Sequence, residues 1–138
     1  MKLRFAHLAD YAATDSGGKL TLVGAFDVIW DVLKARPIQF PACYLVVSLE
    51  ASIAEGAEHE LHIRLVDDDE QQHGNGIVGR FRLRAQGPGH PARAHLIFGF
   101  PAGVIQVPAP GDYYFRVDVD GSPVDQLLIS VLEPAKQE

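Results

Sequence analysis

The sequence predicts an all-β domain: an antiparallel β-sandwich of about eight strands, immunoglobulin-like or Greek-key, with at most one short helix near residues 28–36. Three observations predict it. Apolar side chains recur mostly at every second residue, the period of a half-buried strand. Clusters of Gly, Pro, Asp and Asn separate these runs at short intervals. No long stretch repeats apolar residues at three and four positions, as a helix would require.

Taken in order, the elements read as follows. From Glu58, the run E-H-E-L-H-I-R-L-V puts Leu61, Ile63 and Leu65 on one face and Glu60, His62 and Arg64 on the other. From Ile77, I-V-G-R-F-R-L-R sets Phe81 and Leu83 against Arg80, Arg82 and Arg84. From Tyr113, Y-Y-F-R-V-D-V sets Tyr113, Phe115, Val117 and Val119 against Tyr114, Arg116 and Asp118. Residues 42–49 and 96–100 are apolar on both faces, which suits central strands or strands near a subunit contact. Residues 28–36, V-I-W-D-V-L-K-A-R, could form the short helix, bounded by Pro37.

The last hairpin has a predicted register. A two-residue Asp120-Gly121 turn would set Gln126 and Ser130 among core residues. A loop one residue longer lets Phe115 face Leu127 and Tyr113 face Ile129. Register follows the apolar face, so the sequence predicts a three-residue loop, Asp120-Gly121-Ser122, with Gly121 left-handed in a bulge. Pro123 cannot donate to a ladder, so its strand should begin at a sheet edge.

Composition agrees with one globular domain over residues 1–138: 47% of residues are apolar and 22% charged. A chain of this size buries roughly two thirds of its unfolded surface, so its core needs no staples. Cys43 is the single cysteine and cannot form an internal disulfide. It lies between Ala42 and Tyr44 with no base nearby in sequence, and reads as a small buried hydrophobe. His7 and Asp10 interrupt the N-terminal apolar residues, so no signal peptide is expected. No apolar run reaches the length of a membrane span. A cytoplasmic protein without membrane contact is expected. The net charge of −6 disfavours nucleic-acid binding, which depends on neutralising phosphates.

Several segments form a pattern in order along nearly the whole chain: A-D-Y-A at 9–12, G-K-L-T-L-V-G-A-F-D-V-I-W at 18–30, F-P-A at 40–42, E-H-E-L-H-I-R-L-V-D-D-D-E at 58–70, and P-A-P-G-D-Y-Y-F-R-V-D-V-D-G at 108–121. Together they resemble a bacterial family of small β-rich proteins catalogued as a domain of unknown function. The resemblance implies the fold and a bacterial source. It implies no activity, cofactor or catalytic residue.

Candidate sites are few. If Gly17-Gly18 closes the first hairpin, Asp10 lies opposite Ala25, and Asp27 lies diagonally across from Asp10, about 7 Å away on the same face. Two carboxylates so placed could act as acid and base in glycoside hydrolysis. Arg80, Arg82 and Arg84, with Arg64 on the preceding strand, form a stripe that could hold a carboxylate, a phosphate or an acidic partner. A solvated sheet face paired with Glu60 is the simpler reading. Trp30 could anchor a partner or plug one end of the sandwich.

The remaining polar groups give no site. His59 and His62 fall on opposite strand faces, while loop residues His73 and His90 could approach each other. No metal or other cofactor is expected from them. Asp67-Asp68-Asp69-Glu70 lacks the glycine-spaced pattern of a calcium loop and reads as a turn. The reading that best fits all of this is a non-catalytic binding or protein-interaction module that self-associates. Its partners would be a second copy, another protein or a small anionic ligand. The alternatives are a hydrolase-type enzyme using Asp10 and Asp27, and a structural subunit assembling through sheet edges.

Overall fold

A computed structural model describes residues 1–52 and 58–135, and among these it contains eleven strands and no helix. In chain order they are β1 (Lys2–Thr14), β2 (Leu20–Phe26), β3 (Val28–Trp30), β4 (Ile38–Gln39), β5 (Cys43–Ala51), β6 (Glu58–Asp67), β7 (Gln72–Arg82), β8 (Ala92–Phe100), β9 (Gln106–Val107), β10 (Gly111–Val119) and β11 (Ser122–Leu132). Eight of them are seven residues or longer, which matches the expected strand number. The first sheet has the order β2-β1-β5-β8 and the second β3-β11-β10-β6-β7, with a small β4-β9 pair besides.

The inner faces of the two sheets share one core. Leu8, Leu45, Val47 and Leu49 come from the first sheet; Leu61, Ile63, Leu65, Phe115, Val117, Ile129 and Val131 come from the second. Leu61, Ile63, Leu65, Phe115 and Val117 are positions that the period-two runs assign inward. Each such side chain contributes roughly 1.5–3 kcal/mol by leaving water. Phe81 and Leu83 join the same core, as their alternation predicts.

Residues 28–36 form no helix. Val28 and Ile29 are β-branched and favour extended backbone. They pair in parallel with β11, Val28 opposite Ser130 and Trp30 opposite Leu132. Ile29 enters the core while Trp30 stands 55% exposed. The sandwich therefore contains one parallel pair and is not wholly antiparallel.

The final hairpin has the predicted register but reaches it differently. Phe115 faces Leu127 and Tyr113 faces Ile129. The turn, however, is the two-residue Asp120-Gly121, with φ of 51° and 80°, closed by Val119 opposite Ser122. Both positive values belong to the turn whose twist matches the flanking strands. A bulge then skips Val124, between the pairs Val117–Asp125 and Asp118–Pro123, and restores the apolar register. β3 pairs only with Ser130, Val131 and Leu132, so Pro123 lies at a free sheet edge as expected.

The first hairpin is one residue out of its expected register. Asp15 Oδ1 accepts hydrogen bonds from the amides of Gly17 and Lys19, both at 2.9 Å. This side chain builds a five-residue loop, so Thr14 pairs with Leu20 and Ala9 with Ala25. Asp10 thus stands across from Gly24 rather than Ala25. Gly24 has φ of 66°, and a methyl group there would come within 2.8 Å of Asp10 Cγ. Gly24→Ala is expected to cost about 2 kcal/mol, combining left-handed strain with the clash. A chemical denaturation midpoint unchanged from the wild type would contradict this.

Candidate functional site

The outward side of the first sheet is unusual because it carries almost no charge. Strand pairing puts Val23 beside Tyr11, Ala9 between Ala25 and Tyr44, His7 beside Val46, and Phe5 beside Ser48. β8 continues these rows with Gly99, Ile97 and His95. From the row of Phe5, Ser48 and His95 to that of Tyr44 and Gly99, the outward strand positions hold no Asp, Glu, Lys or Arg. Charges appear only at one end, where Glu50 meets Lys2, Arg4 and Arg93, each at 3.6 Å.

The face is also self-packed. The Tyr11 ring meets Tyr44 edge-on at 5.8 Å, and Tyr44 lies over Gly99, where a Cβ would be 3.1 Å from the ring. Phe5 stacks on His95 and tilts against His7. Beneath these rings Val46 and Ser48 are fully buried although they point away from the core. This explains why residues 42–49 read as apolar on both sides. Tyr11 and Val23 remain about half exposed, at 49% and 53%. Of these residues, none was singled out by the sequence as a site. The available signal was the uncharged alternation Phe5, His7, Ala9, Tyr11 along β1.

His95 belongs to this surface as a neutral group. Burial lowers its pKa below the ordinary histidine value, and the nearby Arg4 and Arg93 lower it further. Its Nδ1 is buried with no hydrogen-bond partner, so protonation there would strand an N–H. The unfolded chain therefore takes up this proton first as pH falls. Stability should drop as pH descends through and below the ordinary histidine value of about 6.5. His95→Gln should reduce that drop in thermal melts across this window. An identical pH slope in both proteins would contradict it.

The second sheet's outward side has the opposite character, and it divides the predicted arginine stripe. Arg82 pairs with Glu58, and Arg80 stands across from Glu60. Arg84 has left β7 and bridges to Arg93 at the edge of the first sheet. A bulge between Ile63 and Leu65 separates Arg64 from the others. Arg64 instead meets Asp118 at 3.4 Å, beside the Arg116–Glu70 pair. The four arginines are therefore distributed over three places and form no single anion-binding patch.

The predicted carboxylate pair is not assembled. The one-residue register change gives Asp10 and Asp27 opposite parity on their strands. Asp10 lines a cleft of about 880 Å³ beside Gly24, and Asp27 does not line it. Trp30 lines this same cleft, together with Phe40 and the buried Asp31, which Arg36 holds at 2.9 Å. Trp30 is thus a partly exposed residue of this cleft.

The other polar clusters serve the backbone. Asp67 Oδ1 accepts from the amides of Asp69 and Gln71, while its Oδ2 meets His73 at 2.9 Å. These bonds hold the Asp67 carboxyl below its usual range, His73 contributing most. The backbone amide of His90 donates to the Gly87 carbonyl and closes its turn. His59, buried and stacked on Phe81, meets Asp120 Oδ2 at 2.6 Å. His62 is on the opposite side of that strand, paired with Val78. Among the described residues no three His, Cys, Asp or Glu side chains gather as a metal site would require. Cys43 is buried, and burial together with Asp10 pushes its thiol up to about 11. Among the described residues no helix is long and apolar enough to cross a membrane.

A family described as a family of unknown function (DUF6941) matches residues 4–132. No curated protein matches the chain. Among solved structures, the Pseudomonas fluorescens alkylpurine DNA glycosylase AlkC, bound to DNA containing an abasic site analog, is similar at 15% identity with a TM-score of 0.36. The match covers 91% of this chain but only 30% of that one. A likeness this weak carries no argument.

Proposed function

The chain belongs to this family of unknown function, matched over residues 4–132, and we propose that it is a non-catalytic interaction module that pairs with a second copy through the outward side of its first sheet. The uncharged face centred on Tyr11, Val23 and Tyr44 carries this reading. Two copies of a chain with net charge −6 repel each other. They can meet with least repulsion where neither presents a carboxylate, and the outward side of the first sheet offers such an area. The tyrosines and valine supply apolar area whose burial drives association. A two-fold pair would bring the same patch of each copy together.

The paired charges on the second sheet favour a solvated surface instead. The separation of Asp10 from Asp27 favours binding over hydrolysis. A cytoplasmic location belongs to the same reading, since one buried thiol suits a reducing compartment. Light scattering coupled to size exclusion tests the pairing. A mass near twice 15.1 kDa is expected at micromolar concentration. A mass equal to 15.1 kDa under those conditions would sink the proposal.

A further inference from the structure

The cleft at Asp10 has a chemistry that the self-association reading does not use. Its volume, about 880 Å³, lies in the range of small-molecule sites. Its lining is mainly apolar, with Ile29, Ile38 and Phe40 buried at its base and Trp30 exposed at its margin. Three charged side chains line it: Asp10, Asp31 and Arg36. Arg36 donates to Asp31 at 2.9 Å, so these two neutralise each other.

Asp10 is different. It is exposed and has no hydrogen bond or ion pair among the described residues. Gly24 clears the space beside it, since any β-carbon there would collide with the Asp10 carboxyl. The cleft therefore carries one uncompensated negative charge next to apolar and aromatic walls. We propose that it binds a small apolar molecule bearing a single amino group, the ammonium pairing with Asp10 and the apolar part lying against Phe40 and Trp30. A carboxylate ligand would meet like charge, and a neutral one would leave Asp10 unpaired.

Trp30 is the single tryptophan, so its fluorescence reads the cleft directly. The test compares 4-phenylbutylamine with its neutral and anionic counterparts, 4-phenylbutanol and 4-phenylbutyrate, on the wild-type protein. The amine should give a saturable change in Trp30 emission. The alcohol should bind about tenfold more weakly, the scale of one charge-assisted hydrogen bond, and the acid more weakly still. Asp10→Asn should weaken the amine by about the same factor and leave the alcohol unchanged. Alcohol binding to this variant also shows that its cleft is intact. Equal binding of amine, alcohol and acid would overturn the proposal, as would the absence of any saturable signal with the amine. Should Asp10→Asn fail to fold, the three-ligand comparison on the wild type decides alone. None of these outcomes depends on whether the protein self-associates, because self-association is read by mass.

Discussion

Ile129→Ala is expected to destabilise the protein by about 3 kcal/mol, whereas Leu128→Ala should cost less than about 0.5 kcal/mol. The two residues are neighbours on β11, similar in size, and present opposite faces. Ile129 is fully buried opposite Tyr113, and Leu128 is 44% exposed opposite Tyr114. Truncating Ile129 removes its transfer free energy and leaves a cavity among Tyr113, Phe115 and the facing sheet. The contrast therefore tests the register itself. A slip of one residue would put Leu128 inside and exchange the two costs. Urea denaturation of both variants measures it, and similar losses would contradict the register.

Val23→Glu should leave monomer stability within about 0.5 kcal/mol of the wild type and raise the dissociation constant of the pair at least about 100-fold. Val23 is half exposed on edge strand β2, so a longer polar side chain fits there without cost to the core. In a two-fold pair the substitution introduces two carboxylates into an area where neither copy holds a neutralising cation. Desolvating them unpaired is what separates the subunits. Tyr11 is a poorer choice, because its ring also packs on Tyr44 within one copy. An unchanged dissociation constant would place any self-association on another surface.

Much of the fold was legible because alternation records which face is buried. Leu61, Ile63 and Leu65 showed their strand's inward face, and Tyr113, Phe115, Leu127 and Ile129 together left one register for the final hairpin. The device that achieves it was not legible, since the bulge at Val124 has no distinctive residue and the two-residue turn alone suggests the wrong pairing. The first hairpin misled for a local reason: the Asp15 side chain, not the glycine pair, determines the loop length. Residues 28–30 became a strand because β11, a hundred residues later, offers them a free edge. No local window contains that information.

The site was less legible. The arginine alternation is real, but the bulge near Arg64 and the exit of Arg84 to the other sheet disperse it. The carboxylate pair depended on a register set by Asp15. The uncharged surface was visible only as strands apolar on both faces and as the uncharged alternation Phe5, His7, Ala9, Tyr11. Its outline needs β2, β1, β5 and β8 side by side, an arrangement of strands distant in sequence.

Sedimentation velocity on the wild type, Val23→Glu and Arg82→Glu at one micromolar concentration tests the interaction face most directly. Arg82 lies on the second sheet, paired with Glu58 where both are largely exposed, so its reversal should not touch the pairing surface. The wild type and Arg82→Glu are expected to sediment as dimers and Val23→Glu as a monomer. A monomeric wild type, or a pair broken by Arg82→Glu and kept by Val23→Glu, would contradict pairing through the first sheet.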